Sequence, residues 1–176
     1  MANSVNGNSY EMSGAGTLNS QSKAVTAAGT YTHKSSEGTM LETGVWIASE
    51  LVSFDSYGIA PRALTREGRA LDSAHFGASH SQMFSGAMPS GGLAVLHIRL
   101  LPVRGLAKNA TLQVNCAIGK VPSEHQVEGI RLAVEGGSVE FDEEVSGRAI
   151  FLLRAIPLTQ VLPYVVVASL PLTILA

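Results

Sequence analysis

Apolar residues recur at every second position in the stretch ATLQVNCAIG. Ala110, Leu112, Val114, Cys116 and Ile118 share one face, while Thr111, Gln113 and Asn115 share the other. LAVLHIRLL follows the same rule, with Ala94, Leu96, Ile98 and Leu100 on one side and His97 and Arg99 on the opposite side. IRLAV repeats it through Ile130, Leu132 and Val134. A period of two belongs to a pleated strand with one buried face; a helix would need a period near 3.6. These three segments therefore predict strands that share one apolar interior, with Thr111, Gln113 and Asn115 turned to water.

Other segments extend the pattern. Lys23 to Lys34 places Val25, Ala27, Gly29, Tyr31 and His33 on one face. SSEG follows, with Gly38 placed for a positive φ, and then the long run TMLETGVWIASELVSF. Together these predict a hairpin. The alternation slips near Ser49 and Glu50, which predicts a bulge and a bent strand. Gly136-Gly137 marks a further hairpin turn leading into SVEF, and GRAIFLLRAI reads as another strand.

The 176 residues suffice for one domain with its own core. Charged residues make up only 15% and glycines number 18, a mix that suits a turn-rich β fold better than a helical bundle. The expected fold is all-β: a single antiparallel β-barrel, or a β-sandwich, of about eight strands. Residues 1–9 read as a flexible N-terminus and 10–176 as one β domain. A long loop with a short helix is expected at roughly 59–92, where alternation is absent and MPSGG reads as a breaker.

The tail from Pro157 to Ala176 is apolar on both faces. Pro157, Pro163 and Pro171 interrupt it, so no run approaches the roughly 20 residues a membrane helix needs. It reads as a buried C-terminal strand, with an interface that builds a homo-oligomer as the other reading.

Chemistry is sparse. The net charge of −2 gives no strong pull toward nucleic acid or anionic lipid. Seven of the twelve basic residues fall within 61–125. The single cysteine excludes an internal disulfide and a Cys-rich zinc site. Cys116 lies on an inward face and reads as a small hydrophobe. Nucleotide-binding and hydrolase motifs are absent.

Four groups are candidates. His75, His80, Met83 and Met88 pair imidazole with thioether, a donor set suited to copper; the competing reading is a cover in which Phe76 and Phe84 shield an opening or meet a partner. Arg62, Arg66 and Arg69 share one helical stripe and offer planar donors to an anion, against pairing with Glu67 or Asp72. Tyr31, His33, His97 and Arg99 would form a polar cavity if the interior were polar. With the aliphatic face inside, His97 and Arg99 fall outside. The acidic run EFDEE, Glu140 to Glu144, reads as a solvated strand edge rather than a calcium site.

The expected function is that of a non-enzymatic β-domain binding a small apolar ligand or a protein partner through the central loop. A self-associating structural subunit and a barrel-cavity isomerase or cyclase are the alternatives. The Asn/Ser/Gly/Thr-rich start resembles the mature end of an exported protein, giving the expectation of a secreted or periplasmic chain with its leader removed.

Overall fold

The computed structural model describes residues 1–4, 7–59, 87–136, 140–141, 143–144 and 149–154. It is all-β, built on one antiparallel sheet. The strands are β1 (Ala2–Asn3), β2 (Ser9–Asn19), β3 (Ala24–Lys34), β4 (Met40–Ile59), β5 (Ala87–Pro102), β6 (Lys108–Cys116), β7 (Gly129–Val134), β8 (Glu140–Phe141), β9 (Glu143–Glu144) and β10 (Phe151–Arg154). A 3-10 turn, Ser123–His125, precedes β7. No helix among the described residues is long and apolar enough to cross a membrane.

The strand order is β8-β7-β6-β5-β4-β3-β2-β1-β9, with β10 added beside β5. The two ends of this order meet in sequence. β8 pairs with β7 and β9 pairs with β1, yet only Asp142 separates them along the chain. Ala2–Asn3, inside the stretch whose composition reads as flexible, pairs with both β2 and β9, and the Ala2 side chain is fully buried.

The period of two maps onto the observed core. Ala94, Leu96, Ile98 and Leu100 of β5 are buried, as are Ala110, Leu112 and Cys116 of β6 and Ile130 and Leu132 of β7. Burial pushes the Cys116 thiol up to about 12, so it stays protonated and behaves as core. The β3–β4 hairpin forms as its turn chemistry dictates, with Gly38 at φ 80° and Ser35 N donating to Thr39 O at 2.8 Å. The register of β4 against β5 slips between Ala48 and Glu50, where the alternation breaks, and twice more beyond it.

Two expectations are corrected. Residues 87–92 belong to β5, not to an insertion at roughly 59–92. The MPSGG run extends as strand because its glycines serve close approach. A Cβ on Gly91 would lie 1.9 Å from Ile118 O, and one on Gly92 would lie 2.9 Å from the Phe54 ring. Asn115 is the second. It is fully buried, not turned to water. After Cys116 the chain folds back over that face, and Asn115 Nδ2 donates to His125 O at 2.8 Å and to Val127 O. β6 ends at this point, and β10 takes its place beside β5, pairing Phe151 with Ser90.

Candidate functional site

The inner face of the sheet carries a partly open apolar chamber of about 80 Å3. Seven strands contribute to its wall, among them Met12 and Gly14 of β2, Trp46 of β4, Leu112 and Val114 of β6, Ile130 of β7 and Phe151 of β10. Residues that far apart in strand order can share one space only because the sheet curls strongly. Among the described residues no charged side chain lines it. Small residues, Ala27 and Ala94, form part of the wall beside Gly14 and Gly16, whose bare backbone is packed against Trp46 and Ala27.

Trp46 sets the shape of one wall. It pairs with Gly29, which pairs with Gly14. Its ring lies against the bare backbone there: a Cβ on Gly14 would be 2.2 Å from Trp46 Cζ2. The indole Nε1 donates to Ser13 O at 3.0 Å, which satisfies the polar edge of a side chain only 6% exposed.

The sheet is split beside the chamber. Pairing of β3 with β4 runs from Lys34↔Met40 to Ala28↔Ile47 and stops. Beyond that point the described pairing of β3 is to β2 and that of β4 is to β5. The bulge after Ala48 follows at once, and a bulge bends the strand that carries it. Between the parted strands lies a depression of about 440 Å3, lined by Thr26, Ala28, Ile47, Ala48, Ala15, Val25 and Ala27. The last three also line the chamber.

A polar cluster occupies the inner face toward the β3–β4 turn. Tyr31 Oη donates to Glu42 Oε1 at 2.8 Å, and Lys108 Nζ donates to Glu42 Oε2 at 2.6 Å. The His33 ring stacks on Tyr10 at 4.4 Å with 7° between planes. Burial raises the Tyr10 hydroxyl to about 12, with Glu42 adding to the shift; burial and the Glu42 bond raise Tyr31 as well. Both tyrosines are therefore neutral near pH 7, and Tyr31 can serve as donor to the carboxylate.

Burial lowers the pKa of His33, and Lys108 lowers it further against an opposing pull from Glu42. The unfolded chain therefore binds more protons than the fold just below the ordinary imidazole value of about 6.5, and stability falls as pH drops through that region. Urea midpoints of the parent chain should fall more between about pH 7.5 and pH 5 than those of His33→Phe, which keeps the stack but not the titration. Equal acid sensitivity in the two proteins would remove His33 as the cause.

The four residues read as one polar cavity are divided between two faces. Tyr31 and His33 are inside. His97 and Arg99 are on the exposed outer face, and His97 Nδ1 lies 3.2 Å from Glu50 Oε2 with both side chains half exposed or more. Arg62, Arg66, Arg69, His75, Phe76, His80, Met83 and Phe84 lie outside the described residues, as does the tail 157–176. Met88 is placed as backbone in β5, opposite Leu153. Glu140–Glu144 supplies the short strands at both ends of the sheet order. Among the described residues no three His, Cys, Asp or Glu side chains converge as a metal ion would require.

Sequence reasoning missed the chamber's glycine wall. SYEMSGAGTLN lacks an aliphatic alternation, and its Gly14 and Gly16 carry no signal of what they face. The cross-strand alignment of Gly14 with Gly29 is visible only once the hairpin register is known. Comparison with models of protein families, with curated proteins and with solved structures found no match to this chain.

Proposed function

We propose that this protein is a non-enzymatic β-domain that binds a small apolar ligand inside its curled sheet. The observation that carries the reading is the chamber itself, walled by apolar side chains from seven strands and free of charge. Apolar surface from that many strands, left unfilled at its centre, fits a binding role. Within the same reading the sheet is a barrel, because β8 and β9 pair with its two opposite ends from one five-residue run.

Trp46 is the only tryptophan and lines the chamber, so it is a built-in reporter. Bromine quenches indole emission at contact. Bromobenzene and 10-bromodecan-1-ol are titrated while Trp46 emission is followed. Saturable quenching by at least one of them is expected. Ala94→Leu, which fills the chamber from β5, should abolish that quenching and raise the urea midpoint. Absence of saturable quenching by either probe, or quenching unchanged in Ala94→Leu, overturns the reading.

A further inference from the structure

We propose that the gap between β3 and β4 is the way into the chamber, and that the ligand is a slim alkyl chain whose methyl end enters while its remainder lies in the depression outside. This rests on the apolar-ligand reading above. Three observations lead to it.

The gap and the chamber are neighbours. Ala15, Val25 and Ala27 line both, so the two spaces share one stretch of wall along the β2–β3 pair. Strand pairing, which would seal the sheet, stops at Ala28↔Ile47, and the gap opens beside that stretch.

Size selects the shape. The chamber measures about 80 Å3, whereas an engineered apolar cavity that accepts a benzene ring holds about 150 Å3. A short alkyl segment is narrower than a ring and can use the smaller space. The chamber is also well below the roughly 300–1,000 Å3 of an ordinary ligand pocket, while the depression outside is broad and open to solvent. The two spaces therefore suit one ligand that divides between them.

Polarity fixes the direction. Trp46, Leu112 and Phe151 offer the inserted end no hydrogen-bond group, since the Trp46 N–H is already engaged by Ser13 O. A hydroxyl or carboxyl driven inside would lose its water without a partner. Outside, exposed Thr26 stands at the rim and the polar end can remain hydrated.

The test compares two positional isomers and two rim variants. 10-Bromodecan-1-ol, with bromine at the buried end, should quench Trp46 saturably, and 2-bromodecan-1-ol, with bromine beside the hydroxyl, should quench far less. In stopped-flow measurements Thr26→Phe and Ala48→Phe should slow association of the first probe roughly tenfold or more, since blocking a passage acts on the rate of arrival. Thr26 is exposed, so its variant has little reason to misfold, and circular dichroism checks both. Equal quenching by the two isomers overturns the assigned direction. Unchanged association rates in both folded variants overturn the assigned passage. If bromobenzene alone quenches Trp46, the alkyl assignment fails while the chamber remains a binding site. If no probe binds, both readings fall together.

Discussion

Asn115→Ala is expected to lower the unfolding free energy by about 3–5 kcal/mol, because it strips three hydrogen bonds from a site that water cannot reach. Asn115 is fully buried. Its Oδ1 accepts from Tyr57 Oη at 3.1 Å, and its Nδ2 donates to His125 O and Val127 O. These contacts fasten the chain after β6 to the outer face. Lys120 N donates to Tyr57 O at 2.8 Å in the same patch, and the His125 ring lies 6.3 Å from that of Tyr57. Gly119, at φ 87°, passes so close to the Tyr57 carbonyl that a Cβ would sit 2.4 Å from it. Removing the Asn115 amide takes away the contact it makes with the Tyr57 hydroxyl and with two backbone carbonyls. Asn115→Asp should be comparably damaging, since its carboxylate would face two carbonyl oxygens instead of donating to them. Thr111→Ala, on the same strand and partly exposed, is the control and should cost under about 1 kcal/mol. Urea denaturation of the three variants decides the matter. A loss at Asn115→Ala no larger than at Thr111→Ala would mean that the amide does not hold the crossing chain.

Asn115 also shows what a period of two can and cannot say. Alternation separates the two faces of β6 correctly: Ala110, Leu112 and Cys116 are in the core. It cannot say whether the second face is covered, because that depends on where residues 117–128 travel after the strand ends. The same division holds elsewhere. Gly38 and the slip at Ser49–Glu50 are local chemistry, and both the turn and the bulge appear where the residues place them. The exchange of β6 for β10 beside Ser90 depends on chain segments some 35 residues apart, and no local pattern encodes it. The chamber was legible in part. Leu112, Val114 and Ile130 belong to the predicted inward faces, but Met12, Ala27 and Trp46, which complete the wall, come from other strands. An empty volume is a relation among strands, so it leaves no mark on any one of them. The passage between β3 and β4 is a relation of the same kind. It arises where pairing stops, and although the slip in β4 near Ser49 and Glu50 marks a bend, nothing in either strand says that the two part there.

The glycines beneath Trp46 lead to the second large effect: Gly29→Ala should destabilise the protein by about 3–4 kcal/mol, combining overpacking with a lost hydrogen bond. By propensity alone the change should help, since alanine in a strand is favoured over glycine by roughly 0.5–1 kcal/mol. Close approach reverses the sign. A Cβ on Gly29 would lie 1.8 Å from Ser13 O and 2.6 Å from Gly14 Cα, both backbone atoms that cannot rotate aside. β2 must therefore move away from β3. Ser13 O is also the acceptor for Trp46 Nε1, so the same displacement pulls the indole off its partner and opens the chamber wall. Gly38→Ala is the matched comparison. Gly38 has a positive φ of 80° but nothing within 4 Å of the added carbon, so only the backbone penalty of about 1–2 kcal/mol applies. Urea unfolding followed by Trp46 emission reads both quantities at once. Gly29→Ala should lower the midpoint well beyond Gly38→Ala and shift the folded-state emission to the red as the indole meets water. Equal midpoints, with the emission unmoved, would show that the β2–β3 pair has slack at this position and that the ring is held by its other neighbours.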